Sequence, residues 1–231
     1  MDRIVFEKMK EVYGEKEMDS IILASASPRR RELLGQIGIE YEVIPSKKEE
    51  VVTSTIPSEI VMELAKQKAE DIVMQTRQPG KLVLGADTIV ALNGEIMGKP
   101  ADEADAYSMI SKLQNNTHQV YTGVSISRMK EDGTVTSHVF YEETQVVVYP
   151  MTEEEIWEYI RTKASTSSSK ISKWNAECTP FECEDKAGGY GIQGPFAAYI
   201  QGIHGDYNNV VGLPVGRVYQ ELKNILKSYN K

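Results

Sequence analysis

The segment ILASASPRR, residues 22–30, places cations at the predicted start of a helix. Arg29 and Arg30 are followed by Arg31, and three adjacent cations repel one another and oppose the positive end of a helix dipole. Such a start is unfavourable unless an anion lies there. Ser25 and the small residues after it can bring hydroxyl and backbone N–H groups to the same place. The segment therefore favours a phosphate site, with arginine forks as ligands.

A helical wheel places Arg30 on the apolar side of this helix. Leu33, Leu34 and Ile37 define the inward stripe, and Arg30 falls near its middle, whereas Arg31 points most nearly to solvent. An unpaired charge on the core side is very costly. Arg30 therefore needs either a buried carboxylate partner or an anionic ligand, and the sequence leaves both open.

Asp87 is a second candidate, in the apolar run LGADTIV. Aspartate is depleted in strands, so a carboxylate just after Gly85 indicates either a turn or a chemical site. Lys99 lies beyond the next turn, in the tripeptide GKP. A carboxylate that activates water, together with cations that neutralise phosphate, is the combination that phosphoryl hydrolysis requires.

Three further candidates have ordinary explanations as well. Lys68 lies on the polar side of a long helix, and Glu50 ends the run SKKEE, so each alone predicts a solvated side chain. The run GGYGIQG, residues 188–194, either forms a tight loop or lets backbone approach a ligand. Gln193 within it has the paired donor and acceptor needed to bind a base edge. From the residues alone, the chain is a phosphate-ester hydrolase or a nucleotide binder.

The elements that must position these groups alternate between helices and strands. Helical spacing predicts a helix over 28–37 and a long one over 58–75 with seven inward positions, namely Ile60, Val61, Leu64, Ala65, Ala69, Ile72 and Val73. We expect further helices over 4–13, 102–113, 152–161 and from 213 onward, and strands over 20–24, 41–44, 120–127, 134–149 and 197–203, with strands broken at Gly85 between them. The predicted fold is α/β with a mixed central sheet flanked by helices.

Composition limits the class of protein. The chain has 231 residues and a formal net charge of −8, which argues against non-specific binding to nucleic acid or to an anionic membrane. No stretch reaches the ~18 apolar residues of a membrane span, and the charged first 19 residues lack the apolar core of a secretory signal. Cys178 and Cys183 have no partners at zinc spacing and predict free thiols in a reducing cytoplasm.

Seven motifs occur in an order that resembles the Maf family of nucleoside triphosphate pyrophosphatases. They are ASASPRR, LAKQKA, GADTIV, GKP, THQVYTGV, AGGYGIQG and GDYNNVVGLP. The resemblance covers roughly residues 20–220 and implies two lobes around a cleft, similar to inosine triphosphate pyrophosphatases. It divides the chain into an N-terminal extension, residues 1–19, and a Maf-like domain, residues 20–231, with a loop insertion at 163–186.

The resemblance also implies roles for individual residues. Asp87 matches the carboxylate that activates water, with Lys68, Lys99 and Glu50 as its catalytic companions. Asp87 and Glu50 would also hold the divalent cation, Mg²⁺ or Mn²⁺, that the family uses. The residues implied to bind substrate are Ser25, Arg29, Arg30, Thr88 and Gln193, of which Arg29, Thr88 and Gln193 match positions that set base preference.

The implied reaction is hydrolysis of a nucleoside triphosphate between its α and β phosphates. The YGIQG form of the glycine-rich motif resembles the branch that acts on dTTP and UTP, which also makes modified pyrimidine triphosphates candidate substrates. Two alternatives remain: a nucleotide-binding regulator of septum formation without significant turnover, and a phosphatase that removes the γ-phosphate. A homodimer is expected by analogy with the family.

Overall fold

The computed structural model describes residues 21–161 and 186–229. They form two compact units, and each is described by itself. The first comprises residues 21–88, 121–144 and 206–229, and the second comprises 89–120, 145–161 and 186–205. Three long strands contribute residues to both. The predicted helix over 4–13, the extension 1–19, the insertion 163–186 and both cysteines lie outside the described residues, apart from Lys186 at the end of the insertion.

Six helices and seven strands are described. The helices are α1 (Pro28–Gln36), α2 (Pro57–Thr76), α3 (Glu103–Leu113), α4 (Glu153–Arg161), α5 (Tyr207–Val211) and α6 (Val215–Tyr229). The strands are β1 (Ile21–Leu23), β2 (Tyr41–Val43), β3 (Val83–Leu92), β4 (Glu95–Met97), β5 (Thr117–Met129), β6 (Val135–Val148) and β7 (Ile200–His204). The predicted α/β class is therefore confirmed.

All seven strands belong to one mixed sheet, in the order β2-β1-β3-β5-β6-β7, with β4 paired to β3. Strand β1 runs parallel to both β2 and β3, whereas β4 and β7 pair antiparallel to β3 and β6. The β3–β4 hairpin turns at Asn93 and Gly94, whose φ values of 52° and 83° are those of a tight hairpin turn. The predicted mixed sheet is confirmed.

In the first unit, helix α2 supplies much of the core. Its buried positions are the seven predicted from helical spacing, from Ile60 to Val73. Ala69, Ile72 and Val73 pack with Ile22 and Val83 of the two parallel strands. The apolar face of α2 therefore fixes the helix against β1 and β3, and its other faces are left to carry polar groups.

The predicted break at Gly85 is wrong, because β3 continues through Gly85 to Leu92. The glycine serves a different purpose: a Cβ at this position would overlap the carbonyl oxygen of Ala65 in α2. Gly123 of β5 meets α2 in the same way, since a Cβ there would overlap the backbone of Val61. The two glycines therefore allow the sheet to approach α2 more closely than any side chain would permit.

In the second unit, an aromatic cluster anchors the glycine-rich segment. Tyr190 packs on Phe196 with ring centroids 4.6 Å apart, and Tyr159 donates a hydrogen bond of 3.2 Å to the carbonyl of Gly189. His118 Nε2 lies 2.7 Å from the Tyr190 hydroxyl. Burial lowers the pKa of His118 to about 4 and raises the pKa of Tyr190. Both side chains are therefore neutral parts of this core at neutral pH.

Two predicted elements differ in how well their predicted starts agree with the structure. The helix predicted over 152–161 begins with a capping box, in which Thr152 and Glu155 exchange side-chain-to-backbone hydrogen bonds of 2.8 and 3.2 Å. The predicted strand over 197–203 is wrong at its start, since a 3₁₀ turn covers Pro195–Tyr199 before β7 begins. The short helix α5 was not predicted.

Within the described part of the chain, no helix is long and apolar enough to cross a membrane.

We predict that Gly123→Ala destabilises the protein by several kcal/mol, because the added methyl must push β5 away from helix α2. Gly216→Ala is the matched control: this glycine lies in helix α6 with open space around its Cβ position, so alanine should stabilise by about 0.5–1 kcal/mol. Urea unfolding of both variants measures the difference. Equal stability of Gly123→Ala and the parent would contradict the close approach.

We also predict an acid-labile contribution from His118. Its pKa is lower in the folded chain than in the unfolded chain, so the unfolded state binds more protons below about pH 6.5. The stabilisation is therefore complete above that pH and is lost as the pH falls toward 4, and about 2 kcal/mol should disappear between pH 7 and pH 5. Urea unfolding of the parent and of His118→Gln at both pH values measures the part of the free energy of unfolding that depends on His118. An identical pH dependence in the two proteins would contradict it.

Candidate active site

The parallel pairing of β1 with β3 brings the predicted phosphate motif and the predicted carboxylate to one region of the sheet. Leu23 of β1 pairs with Leu84 of β3. Ser25 lies two residues after Leu23, just past the end of β1, and Asp87 lies three residues after Leu84, in the middle of β3. Ligands of open α/β sheets bind outside the carboxyl ends of the strands, which is where Ser25 lies relative to β1. The topology alone therefore places Ser25 near Asp87.

A single ammonium group joins the two predicted carboxylates. Lys68 Nζ lies 2.6 Å from Asp87 Oδ1 and 2.8 Å from Glu50 Oε1. The side chains of Lys68 and Asp87 are only 19% and 15% exposed, whereas that of Glu50 is 49% exposed. The prediction of a solvated Lys68, made from its helix face alone, is wrong, and Glu50 is paired although its loop pattern predicted a free side chain.

Gly85 explains why Lys68 can reach Asp87. Gly85 and Asp87 are two residues apart on β3 and therefore lie on the same face of the sheet. Because Gly85 packs directly against Ala65 and Ala69 of α2, the intervening Lys68 extends over the strand to the carboxylate. The Asp87 Oδ1 atom is held in this way, while Oδ2 has no partner among residues 21–161 and 186–229. One carboxylate oxygen therefore stays available to a ligand or to water.

The guanidinium of Arg30 binds four neutral oxygens. Nε donates to the Gly212 carbonyl at 2.9 Å, Nη1 donates to Ser25 Oγ at 3.0 Å and to the Ala86 carbonyl at 2.9 Å, and Nη2 donates to Thr88 Oγ1 at 3.1 Å. The alternative of a buried arginine–carboxylate pair is therefore wrong. Burial lowers the pKa of Arg30, while the charge of Asp87 raises it. Four of its five N–H groups have acceptors, so one Nη2 hydrogen remains for an anion.

These bonds also fix the direction of two hydroxyl groups. Ser25 Oγ accepts from Arg30 and, at 3.3 Å, from the backbone N–H of Ser27, so its own proton is left to donate. Thr88 Oγ1 accepts from Arg30 and lies 2.9 Å from Thr122 Oγ1. Since Thr122 donates its proton to the Asn209 carbonyl at 3.0 Å, Thr88 must donate to Thr122. Ser25 can therefore donate to a ligand, whereas Thr88 can only accept.

Arg29 lies in the first turn of α1 and is half-buried, and it has a partner within the protein. Ser27 occupies the N-cap position of α1, yet its side chain makes no capping hydrogen bond. The first turn of α1 contains no acidic residue. The start of this helix therefore keeps the positive character that the sequence indicated.

Lys99 and Gln193 belong to the second unit. Both side chains are exposed. Their segments are neighbours there, because the backbone N–H of Gly188 donates a hydrogen bond of 2.9 Å to the carbonyl of Gly98. The roles predicted for Lys99 and Gln193 rest on the sequence motifs.

A divalent cation is the cofactor that the sequence predicts, and the donors suit one. Glu50 and Asp87 supply carboxylate oxygens, which hard cations prefer, and Mg²⁺ commonly takes one or two carboxylates and completes its shell with water and substrate phosphates. The described residues contain no group of three or more acidic, histidine or cysteine side chains that could hold a metal by themselves. The site therefore fits a cation that arrives with a polyphosphate.

The sequence analysis missed several groups that support the site. Thr122 and Asn209 are fully buried beneath Thr88, and the Gly212 carbonyl fixes Arg30. Asn209 and Gly212 lie in the motif GDYNNVVGLP, in which two asparagines stand beside apolar residues. That pattern was the sequence feature that could have indicated buried polar groups here. Gly212 has a φ of 126°, a backbone conformation that favours glycine.

Comparisons with known proteins agree with the motifs. The family model described as Maf-like protein matches residues 20–225. The chain is 49% identical to the dTTP/UTP pyrophosphatase of Agathobacter rectalis over 90% of this chain and 98% of the relative, and 44% identical to that of Lachnoclostridium phytofermentans over 89% and 95%. A HAM1 protein structure from Coxiella burnetii is 13% identical with a TM-score of 0.42, covering 90% of this chain and 98% of that one, a likeness too low to carry an argument. The family match and these identities show that the chain belongs to the Maf family.

Proposed function

We propose that this protein hydrolyses dTTP and UTP to the nucleoside monophosphate and pyrophosphate. The names of its relatives in Agathobacter rectalis and Lachnoclostridium phytofermentans support this substrate choice. The observation that carries the chemistry is the Lys68 ammonium, 2.6 Å from Asp87 Oδ1 and 2.8 Å from Glu50 Oε1, with Asp87 Oδ2 left available. Modified pyrimidine triphosphates are further candidate substrates.

In the proposed reaction, Asp87 acts as the general base. Its Oδ2 atom takes a proton from water, the water oxygen forms a bond to the α-phosphorus, and the bond to the α–β bridging oxygen breaks. Pyrophosphate leaves with the electron pair of that bond. Lys68 holds Oδ1 at 2.6 Å and so orients the carboxylate, which leaves Oδ2 to face the water.

The triphosphate would bind where the positive groups converge. Ser25 donates its hydroxyl proton, Arg30 offers its one remaining Nη2 hydrogen, and Arg29 adds charge at the helix start. A divalent cation held by Glu50 and Asp87 would neutralise charge on the phosphate oxygens. Lys99 would add a further cation to the phosphates, a role that rests on the family motif.

Base selection would fall to Thr88, Gln193 and Arg29. Thr88 can only accept, so the group it meets on the substrate must be a donor, such as the N3–H of uracil or thymine. Cytosine has an acceptor at N3 and would be disfavoured there. The role of Gln193 rests on the family motif, and its side-chain NH₂ group could donate to the O4 atom of uracil or thymine. A cytoplasmic location follows from the proposed use of the nucleotide pool, and the homodimer stays a prediction.

The proposed function is tested with purified protein, Mg²⁺ or Mn²⁺, and separate dTTP, UTP, CTP, GTP and ATP reactions assayed for pyrophosphate. Release should be fastest with dTTP and UTP, because both rings present N3–H and O4 groups. Equal rates with CTP would remove the proposed roles of Thr88 and Gln193. Binding of nucleotide without release of any product would instead favour the regulator of septum formation.

We predict that Asp87→Asn lowers kcat by a factor of at least 10²–10³. The amide keeps the shape of the side chain and can still contact Lys68 through its oxygen, but it cannot accept a proton from water. The affinity for triphosphate, measured by calorimetry, should change less than tenfold. Turnover at the parent rate would contradict the assignment of Asp87 as the base.

We predict that Ser25→Ala raises the KM for triphosphate about tenfold to a hundredfold, the effect of losing one hydrogen bond to a charged group. Ser27→Ala is the matched control, because that hydroxyl makes no capping bond. Steady-state kinetics of both variants provide the comparison. Equal KM values for the two variants would show that the free Ser25 proton does not meet the phosphate.

A further inference from the structure

A polar stripe on helix α2 holds the segment that carries Glu50. Four side chains spaced four residues apart, Glu59, Glu63, Gln67 and Asp71, follow one line along the helix surface. Each binds the preceding segment: Ser54 Oγ at 2.6 Å from Glu59, Thr53 N at 3.0 Å from Glu63, Val51 N at 3.0 Å from Gln67, and Ser46 Oγ at 2.6 Å from Asp71. The segment therefore runs antiparallel to α2 and is hydrogen-bonded to about one side chain in each turn of the helix.

Hydrogen bonds rather than burial hold this segment. Val51 and Val52 are 56% and 47% exposed, so neither anchors the segment in the core. The bond from the Thr53 hydroxyl lowers the pKa of Glu63 from its ordinary value. The position of the segment thus depends on the polar stripe.

Gln67 makes the most complete of these contacts. Its Oε1 accepts from the Val51 backbone N–H at 3.0 Å, and its Nε2 donates to the Val51 carbonyl at 2.5 Å. A neighbouring β-strand would satisfy the same two backbone groups in the same way. Gln67 therefore fixes both the position and the orientation of residue 51.

The residues next to Gln67 and Val51 form an ion pair of the site. Lys68 follows Gln67, and Glu50 precedes Val51, with 2.8 Å between Nζ and Oε1. An ion pair with a half-exposed carboxylate contributes little by itself, because both side chains must lose rotamer freedom. A backbone already held at residue 51 removes much of that cost.

We propose that Gln67 is a positioning residue that holds Glu50 against Lys68. The proposal rests on the proposed function, in which Glu50 helps to bind the divalent cation and the triphosphate. Without the amide of Gln67, the backbone at residue 51 is released, and Glu50 leaves the ammonium for solvent. Gln67 acts only through Glu50, so its removal matters only while Glu50 is present.

A double-mutant cycle tests this proposal. Gln67→Ala should lower kcat/KM for dTTP about tenfold to a hundredfold and raise the Mg²⁺ concentration needed for half-maximal rate. In a Glu50→Ala background the same change should have no further effect. Gln75→Ala is the matched control, since Gln75 lies on the same helix, is exposed, and bonds to Asp71 at 2.9 Å. It should behave as the parent.

Hydrogen exchange provides a readout that does not depend on activity. The amide of Val51 should exchange faster in Gln67→Ala and at the parent rate in Gln75→Ala, with both thermal midpoints close to that of the parent. Unchanged exchange at Val51 would overturn the proposal whatever the kinetics show.

The kinetic outcomes separate this proposal from the proposed function. A slow Glu50→Ala variant beside a fully active Gln67→Ala variant would overturn the positioning role alone. Additive losses in the double variant would also overturn it, because Gln67 would then act through another group. Parent-like turnover of Glu50→Ala would overturn the proposal together with the role of Glu50, whereas a parent protein that releases no pyrophosphate would overturn the proposed function.

Discussion

The ammonium of Lys68, shared between Asp87 and Glu50, is the interaction on which the rest of the site depends. Asp87 Oδ1 and Glu50 Oε1 contact its Nζ atom at 2.6 and 2.8 Å. The ammonium also joins three parts of the chain: strand β3, helix α2 and the segment before that helix. The packing of α2 against β1 and β3 in the first unit positions these three parts of the chain.

Close packing of backbone on backbone makes the ion pair attainable. Gly85 and Gly123 allow β3 and β5 to lie directly against helix α2. If either strand moved outward by the width of a methyl group, the short bond between Lys68 and Asp87 would lengthen. The chemistry of a charged site therefore depends on two residues that have no side chains.

Arg30 organises the neighbouring part of the site without neutralising a carboxylate. By donating to Ser25 and Thr88, it decides which hydroxyl can donate to a ligand and which can only accept. Thr122 and Asn209 complete this selection from the core. Because the hydrogen bonds of this network fix which atoms donate and which accept, the donors and acceptors offered to a ligand are set before it binds.

The sequence predicted the elements well where periodicity was strong, as in α2, whose seven buried positions were all anticipated. It misjudged Gly85, because a glycine that permits close packing and a glycine that breaks a strand look alike in sequence. It also predicted a solvated Lys68 from its helix face, since the partner lies 19 residues away on a strand. The stripe from Glu59 to Asp71 was visible as a four-residue spacing, but its partner segment has no period of its own.

The central claim is that the held carboxylate of Asp87 directs water to the α-phosphorus of a nucleoside triphosphate. The most direct measurement is phosphorus NMR of the products formed from dTTP in ¹⁸O-labelled water. The account predicts thymidine monophosphate that carries one ¹⁸O atom, together with unlabelled pyrophosphate. Labelled orthophosphate with a nucleoside diphosphate, or label in the pyrophosphate, would contradict it, because water would then have attacked a different phosphorus.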